Sequence, residues 1–296
     1  MKLHETLYHL AVTDFKDSAI PSSLFGAFRR KSISFFNGLT DEDTIVYWFQ
    51  SKSFTIDLRL KHPTQTSIVE RQGWIGSTTW DSDAGLLSWQ VKDCGNYQNH
   101  IQWPEPAKLH AVGNSIFEFS PSNAYVEDWR QQAVAGLYLG LRLRSAVHVE
   151  TQEAVDMDAA WIICDRHIAY AQSRPHHMQK KIQAFENLQA AVKAGIAESE
   201  IITFETSVSI DGETIQYSTQ NSQIGQRFHC DGFELIDEQT LKQRREIDGE
   251  LYELIFHVDT YVPHYAFQIS TTTSAATQQW MQQEKSHLIH HAKVVY

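Results

Sequence analysis

The chain is short of cysteine and of positive charge, and it has no long apolar run. Each shortage removes a class of function. Three cysteines, Cys94, Cys164 and Cys230, are spread over 296 residues with no CxxC spacing. An odd number of scattered thiols makes neither a disulfide framework nor a zinc site, and reads as reduced cysteines of a cytoplasmic protein. The 25 Lys and Arg are outnumbered by 36 Asp and Glu, for a formal net charge of −11 with His neutral. Nucleic-acid binding needs clustered basic side chains to neutralise phosphates, so nucleic acid is not expected as a partner, nor is an anionic membrane surface. The longest apolar stretch, AVAGLYLGLRL from Ala133 to Leu143, falls far short of the ~20 residues of a membrane helix. MKLHETLYHLAVTDF at the start is interrupted by His4, Glu5 and His9, so no signal peptide is expected.

Catalytic signatures are missing as well. There is no GxSxG, GxGxxG, P-loop, HExxH or CxxCH sequence. The mechanical parts of a nucleophile elbow, a dinucleotide or phosphate cradle, a zincin or a haem attachment are therefore lacking, and no cofactor is expected. The histidines cluster locally at His176-His177 and at His287 with His290-His291. A metal needs ligands that converge on one point. A solvated helix face is the simpler reading of such pairs, and no metal centre is expected.

A composition of 42% hydrophobic and 21% charged residues is that of a folded globular chain, long enough for one large or two ordinary domains. From Phe28 onward, short alternating segments are separated by Gly, Asp, Asn and Pro. They include RKSISFF, DTIVYWFQ, SFTIDLRL, SIVERQGWIGSTTW, LLSWQVKD, SIFEFSP and AYVEDWRQQ, with Asn37-Gly38 as a turn. Regular short strands with turn signals predict a barrel or sandwich. A second series begins at Ala135. AGLYLGLRLRS alternates, AAWIICD and HIAYAQSR flank a tight Asp165-Arg166 turn, and IITFETSVSIDGETIQYSTQ turns at Asp211-Gly212. Met178, Ile182, Phe185, Leu188 and Val192 keep helical spacing, which predicts one inserted helix over 178–194 with Gly195 as its C-terminal cap. SAATQQWMQQEKSHLIHHAK predicts a terminal helix. The boundaries expected are an N-terminal segment over 1–27, a first β unit over 28–134 and a second over 135–296.

Six tryptophans, Trp48, Trp74, Trp80, Trp89, Trp103 and Trp129, fall in the first unit. Rings of that size suit a small barrel with a ligand space, or simply fill its interior. FTIDLRL alternates Phe54, Ile56, Leu58 and Leu60 against Thr55, Asp57 and Arg59. The ordinary arrangement puts the apolar face inward. DTIVYWFQ, however, is apolar on both faces, so something must cover the sheet from outside. The leucine face could then be the outer one, with Asp57 and Arg59 turned inward beside Trp48 and Gln50, acceptable only as a hydrogen-bonded pair. In YVEDWRQQ, Glu127 shares a face with Tyr125 and Trp129. It is either a buried acid suited to proton transfer or the partner of an arginine.

DTIVYWFQSKSFTIDLRL, QGWIGSTTWDSDAGLLSWQ, YVEDWRQQ, AWIICDRHIAYAQSRP and ITFETSVSIDGETIQYSTQ, taken in order, resemble a group of uncharacterised bacterial proteins. More distantly they are similar to a fungal family of paired lipocalin-like barrels without assigned chemistry. Ser51-Lys52-Ser53 stands where the family pattern has Thr-Pro-Ser, and Ser218-Thr219-Gln220-Asn221 where it has Ser-Thr-Leu-Pro. The resemblance implies a mainly β chain of two lipocalin-like, calycin-type antiparallel barrels. It brings no catalytic residues with it. The function expected is binding of a small apolar or amphipathic molecule by Trp48, Gln50, Asp57, Arg59, Trp74, Trp80, Trp89, Glu127 and Trp129. One alternative is a cofactor-independent hydratase, isomerase or cyclase with Glu127 or Asp57 as proton carrier. The other is an interaction module with filled barrels.

Overall fold

The computed structural model of the chain describes all residues except 1, 17, 104 and 291–296. His291, expected to extend the terminal histidine cluster, lies outside the described residues. The N-terminal segment begins with a one-turn helix, α1 (Leu3–Thr6), and straps the molecule together. Leu3 and Leu10 enter the core of the second half, while Ile20, Leu24 and Phe25 enter a core shared with the first.

The first half contains β1 (Gly26–Phe35), β2 (Thr40–Asp41), β3 (Ile45–Gln50), β4 (Phe54–Leu60), β5 (Gln72–Asp81), β6 (Leu86–Asn96), β7 (Ala107–Val112), β8 (Ser115–Phe119) and β9 (Tyr125–Gln131). β1 pairs with β3 on one side and with β9 on the other. Together with β4 to β8 they close an antiparallel barrel of eight strands, with the short β2 attached to β1. Closure leaves no free edge among these eight strands. A bulge at Lys31, between Arg30 and Ser32, bends β1 where it meets β9.

β3 and β4 are buried at every residue. The cause is the second half. Phe54, Ile56, Leu58 and Leu60 lie in one apolar cluster with Ala160, Ile162, Ala169, Ala171 and Val208. Burying each of those large side chains contributes about 1.5–3 kcal/mol. Small residues let the layers approach: a Cβ on Gly73 would collide with Thr206, and one on Gly140 with Ser51. Polar clamps fix the register between the halves. Asp259 accepts hydrogen bonds from the Ser51 hydroxyl (2.6 Å) and the Ser53 amide (3.1 Å), and the Tyr138 hydroxyl donates to the Gln50 carbonyl (2.6 Å).

The second half comprises β10 (Ala135–His148), β11 (Ala154–Val155), β12 (Ala159–Cys164), β13 (His167–Gln172), β14 (Glu205–Ser209), β15 (Tyr217–Ser218), β16 (Phe233–Asp237), β17 (Thr240–Ile247) and β18 (Glu250–Ala266). They form one sheet in the order β15-β14-β13-β12-β10-β18-β17-β16, with β11 on β10. The sequence predicts a second closed barrel here, and the closed form is not what is observed. Among the described residues no ladder joins β15 to β16. β15 supplies only two residues before the chain leaves for a turn-rich stretch, so no strand bridges the seam. The inserted helix also differs from expectation. Two helices form, α2 (His176–Gln183) and α3 (Leu188–Lys193), because the Asn187 side chain caps the second by accepting from the Ala190 amide at 2.9 Å. A further turn, α4 (Glu198–Ile201), follows, and α5 (Ala275–Ile289) is the terminal helix. Asp165 at φ +57° and Gly212 at φ +80° occupy the expected turns. No helix among the described residues is long and apolar enough to cross a membrane.

Candidate functional site

Because the leucine face of β4 is the outer, packed face, its polar face is the inner one. Asp57 is 2% exposed, with Trp48 and Trp74 directly across the ladder on either side. Arg59 grips it with two hydrogen bonds, Nε to Oδ1 at 2.8 Å and Nη2 to Oδ2 at 3.2 Å. This is the geometry in which a buried pair holds its charge. The Asp57 carboxylate raises the Arg59 pKa against a burial effect that acts to lower it.

Glu127, the acid that the YVEDWRQQ pattern singled out, is 1% exposed and paired at 2.8 Å with Arg30, which also holds Asp41. Directly opposite it on β8 stands Glu118. The indole N–H of Trp129 lies 3.1 Å from a carboxylate oxygen of each. The Tyr125 hydroxyl donates to Glu118 at 3.3 Å. Among the described residues no ion pair involves Glu118; Arg59 acts on it only at longer range. Burial, then the charge of Glu127, pushes the Glu118 pKa well above the usual carboxylate range. The barrel thus contains two facing carboxyl groups, one paired with an arginine and the other pushed toward its protonated form by burial and by that neighbour.

Tryptophans fill the space between these charges. Trp48 stacks on Phe28 at 4.9 Å and meets Trp89 and Trp129 edge-on; Trp74 meets Trp89 at 5.9 Å. The barrel mouth is covered by residues 99–103. Asn99 anchors this stretch to the carbonyls of Ile182 and Phe185, and the Arg59 guanidinium lies over the Trp103 ring, 4.2 Å from ring centre to Cζ. Beneath Ile101, Gln102 and Trp103 remains a cavity of about 40 Å³, lined also by Trp74, Trp89, Val91 and Asn96. That is room for a few water molecules. Two of its lining residues, Trp89 and Trp103, carry a buried Nε1 with no partner, and Arg59, next to Trp103, carries a buried Nη1 with none.

Trp48, Asp57, Arg59, Trp74, Trp89, Glu127 and Trp129 therefore meet in one interior. Gln50 and Trp80 do not join them at the mouth. The Gln50 amide is fully engaged by Trp48, Thr78 and the carbonyls of Ser51 and Phe54. Trp80 is half-buried in a separate surface cleft beside Ile20, Lys52 and Asp259. Sequence reasoning missed Arg30, Trp103 and Glu118. In SIFEF the Phe117 and Phe119 face looks like core, yet Phe119 is 43% exposed, and Ile116 and Glu118 turn inward. Only the inversion already hinted at in FTIDLRL could have suggested it.

Among the described residues no group of three or more His, Cys, Asp or Glu side chains is placed to hold a metal ion. Comparison with known proteins finds no matching family model, no matching curated protein and no matching solved structure. The site is therefore read from its own geometry.

Proposed function

We propose that the first barrel binds a small amphipathic molecule in a lipocalin-like manner, with Ile101–Trp103 as the cover that moves to admit it. The observation that carries this reading is an indole-lined void whose walls include Trp89 and Trp103, each with an unpartnered buried Nε1, and a third unpartnered donor, Arg59 Nη1, on the residue that lies against Trp103. A buried N–H without an acceptor costs about 1–3 kcal/mol. A ligand carboxylate or carbonyl would recover that cost at all three, while its apolar body lay against Trp74, Trp89 and Val91. The void as it stands is too small for such a ligand, so binding requires Trp103 to leave the face of Arg59. Arg59 keeps its charge through Asp57 and serves as the polar anchor.

A second reading rests on Glu118. A carboxylic acid whose pKa is raised by burial, set against a carboxylate held by Arg30, offers a proton donor beside a proton acceptor. This is the arrangement a cofactor-independent hydratase, isomerase or cyclase would use, with Glu118 as acid and Glu127 as base.

Tryptophan fluorescence titrated with a series of medium-chain alkanoates and the matching alkanols tests the first reading. Alkanoates are expected to quench and to bind more tightly than the alkanols, with Trp103→Ala speeding association. Absence of quenching by either series, in wild type and Trp103→Ala alike, would refute binding and leave a filled barrel that acts through its outer surface. Glu118→Gln separates the first two readings: retained affinity with lost turnover favours catalysis.

A further inference from the structure

The seam that keeps the second sheet open is also a cleft. It measures about 740 Å³, against about 40 Å³ at the barrel mouth. Gln172, Glu205, Gln220, His229, Gln243 and Arg245 line it. Gln243 and Arg245 are alternate residues of β17 and so share one face of the strand. Arg245 lies over the Tyr170 ring at 4.4 Å and holds Glu205 across the seam at 3.3 Å through Nη2; its Nη1 is buried with no partner. Gln243 is 1% exposed. Its amide nitrogen donates to the carbonyls of His229 (3.1 Å) and Asp231 (3.0 Å), while its Oε1 is buried with no partner. Two residues that share one strand face therefore carry a buried spare donor and a buried spare acceptor.

The lining decides what chemistry fits. Glu205, Asp231, Glu246 and Asp248 outnumber Arg244 and Arg245, which disfavours an anion. Only Ile202 and Ile247 offer large apolar side chains, which disfavours an acyl chain. The remainder is mostly amide. A hydroxyl both donates and accepts, so adjacent hydroxyls of a neutral ligand would satisfy Gln243 Oε1 and Arg245 Nη1 together.

We propose that the seam cleft is a binding site for a neutral polyhydroxylated molecule, a sugar or sugar-like polyol, gripped at adjacent hydroxyls by Gln243 and Arg245. This site is separate from the barrel and stands without the barrel reading. Saturation-transfer NMR and isothermal titration on the full chain test it, with glucose, galactose, mannose, N-acetylglucosamine, maltose and myo-inositol as probes and glucuronate as the anionic counterpart of glucose. At least one neutral probe is expected to bind at millimolar concentration or below, with glucuronate weaker than glucose. Gln243→Glu is expected to weaken binding roughly tenfold, and the half-buried Gln220→Ala roughly threefold with little risk to folding. No binding by any neutral probe, tighter binding by glucuronate than by all of them, or affinity unchanged in Gln220→Ala would overturn it. The barrel is probed with alkanoates and the seam with sugars, so each proposal fails on its own.

Discussion

The two halves contain the same device in different surroundings. In the barrel, Arg59 lies on Trp103 and holds Asp57. At the seam, Arg245 lies on Tyr170 and holds Glu205. Each arginine keeps one buried Nη1 without a partner. The difference is in the route between the charges. Asp57 and Arg59 are alternate residues of one strand inside a closed wall, joined by two hydrogen bonds. Glu205 and Arg245 come from β14 and β17, each one strand in from opposite edges of an open sheet, and share one contact. A closed wall requires charges to be neutralised locally, whereas an open seam lets a single long-range pair span a cleft beside water.

The comparison can be broken most sharply by removing one carboxylate from each half. Asp57→Asn leaves a guanidinium enclosed without its partner and is expected to cost about 3–5 kcal/mol, read from the urea midpoint. Glu205→Gln should cost about 1 kcal/mol, because the cleft can rehydrate Arg245. Equal costs would show that the seam is as dry as the barrel.

Acid should also distinguish the halves. His167, on β13 beside the Asp165-Arg166 turn, is 5% exposed, and burial holds its pKa down to about 4. The unfolded chain binds that proton below about 6.5 while the folded chain does not until about 4, so stability falls as pH falls through this window, by on the order of 3 kcal/mol at most. Glu118 acts in the opposite sense. Its raised pKa means the folded barrel binds a proton more readily than the unfolded chain, so this group's contribution diminishes as pH rises above the ordinary carboxylate range. Amide exchange followed from neutral pH down to about 4.5 should therefore loosen β12 and β13 before β8 and β9. His167→Gln should flatten the first trend. Uniform loosening would remove the contrast.

The smallest effect sharpens the account of the barrel. Glu118→Gln keeps a donor and an acceptor between Glu127 and Trp129 without a proton to lose. It is expected to be neutral or stabilising by on the order of 1 kcal/mol near neutral pH, and the gain should vanish in acid. A clear loss of stability would mean that Glu118 carries charge in the folded state.

Much of the frame was legible in the chain. Asn37-Gly38 and Asp165-Arg166 marked turns because their backbone requirements are local, and Gly195 ends its helix at φ +95° as its position implied. FTIDLRL announced a two-faced strand but not which face was inside. The covering layer comes from Ala160, Ile162 and Val208, a hundred residues away or more. Glu118 was read as ordinary strand because its meaning lies in Glu127 across the ladder. The single helix over 178–194 failed because a helical apolar period also tolerates a break where Asn187 offers a cap.

The alternation of the strands, the turns between them and the scarcity of clustered basic charge were fixed by composition and local order, since backbone preference and side-chain period act over a few residues. Whether the sheets closed, which face of β4 met the other half, and which acids met which arginines were decided only in three dimensions. Closure and burial depend on contacts between distant segments, and a charge acquires its protonation state from neighbours that folding alone assembles.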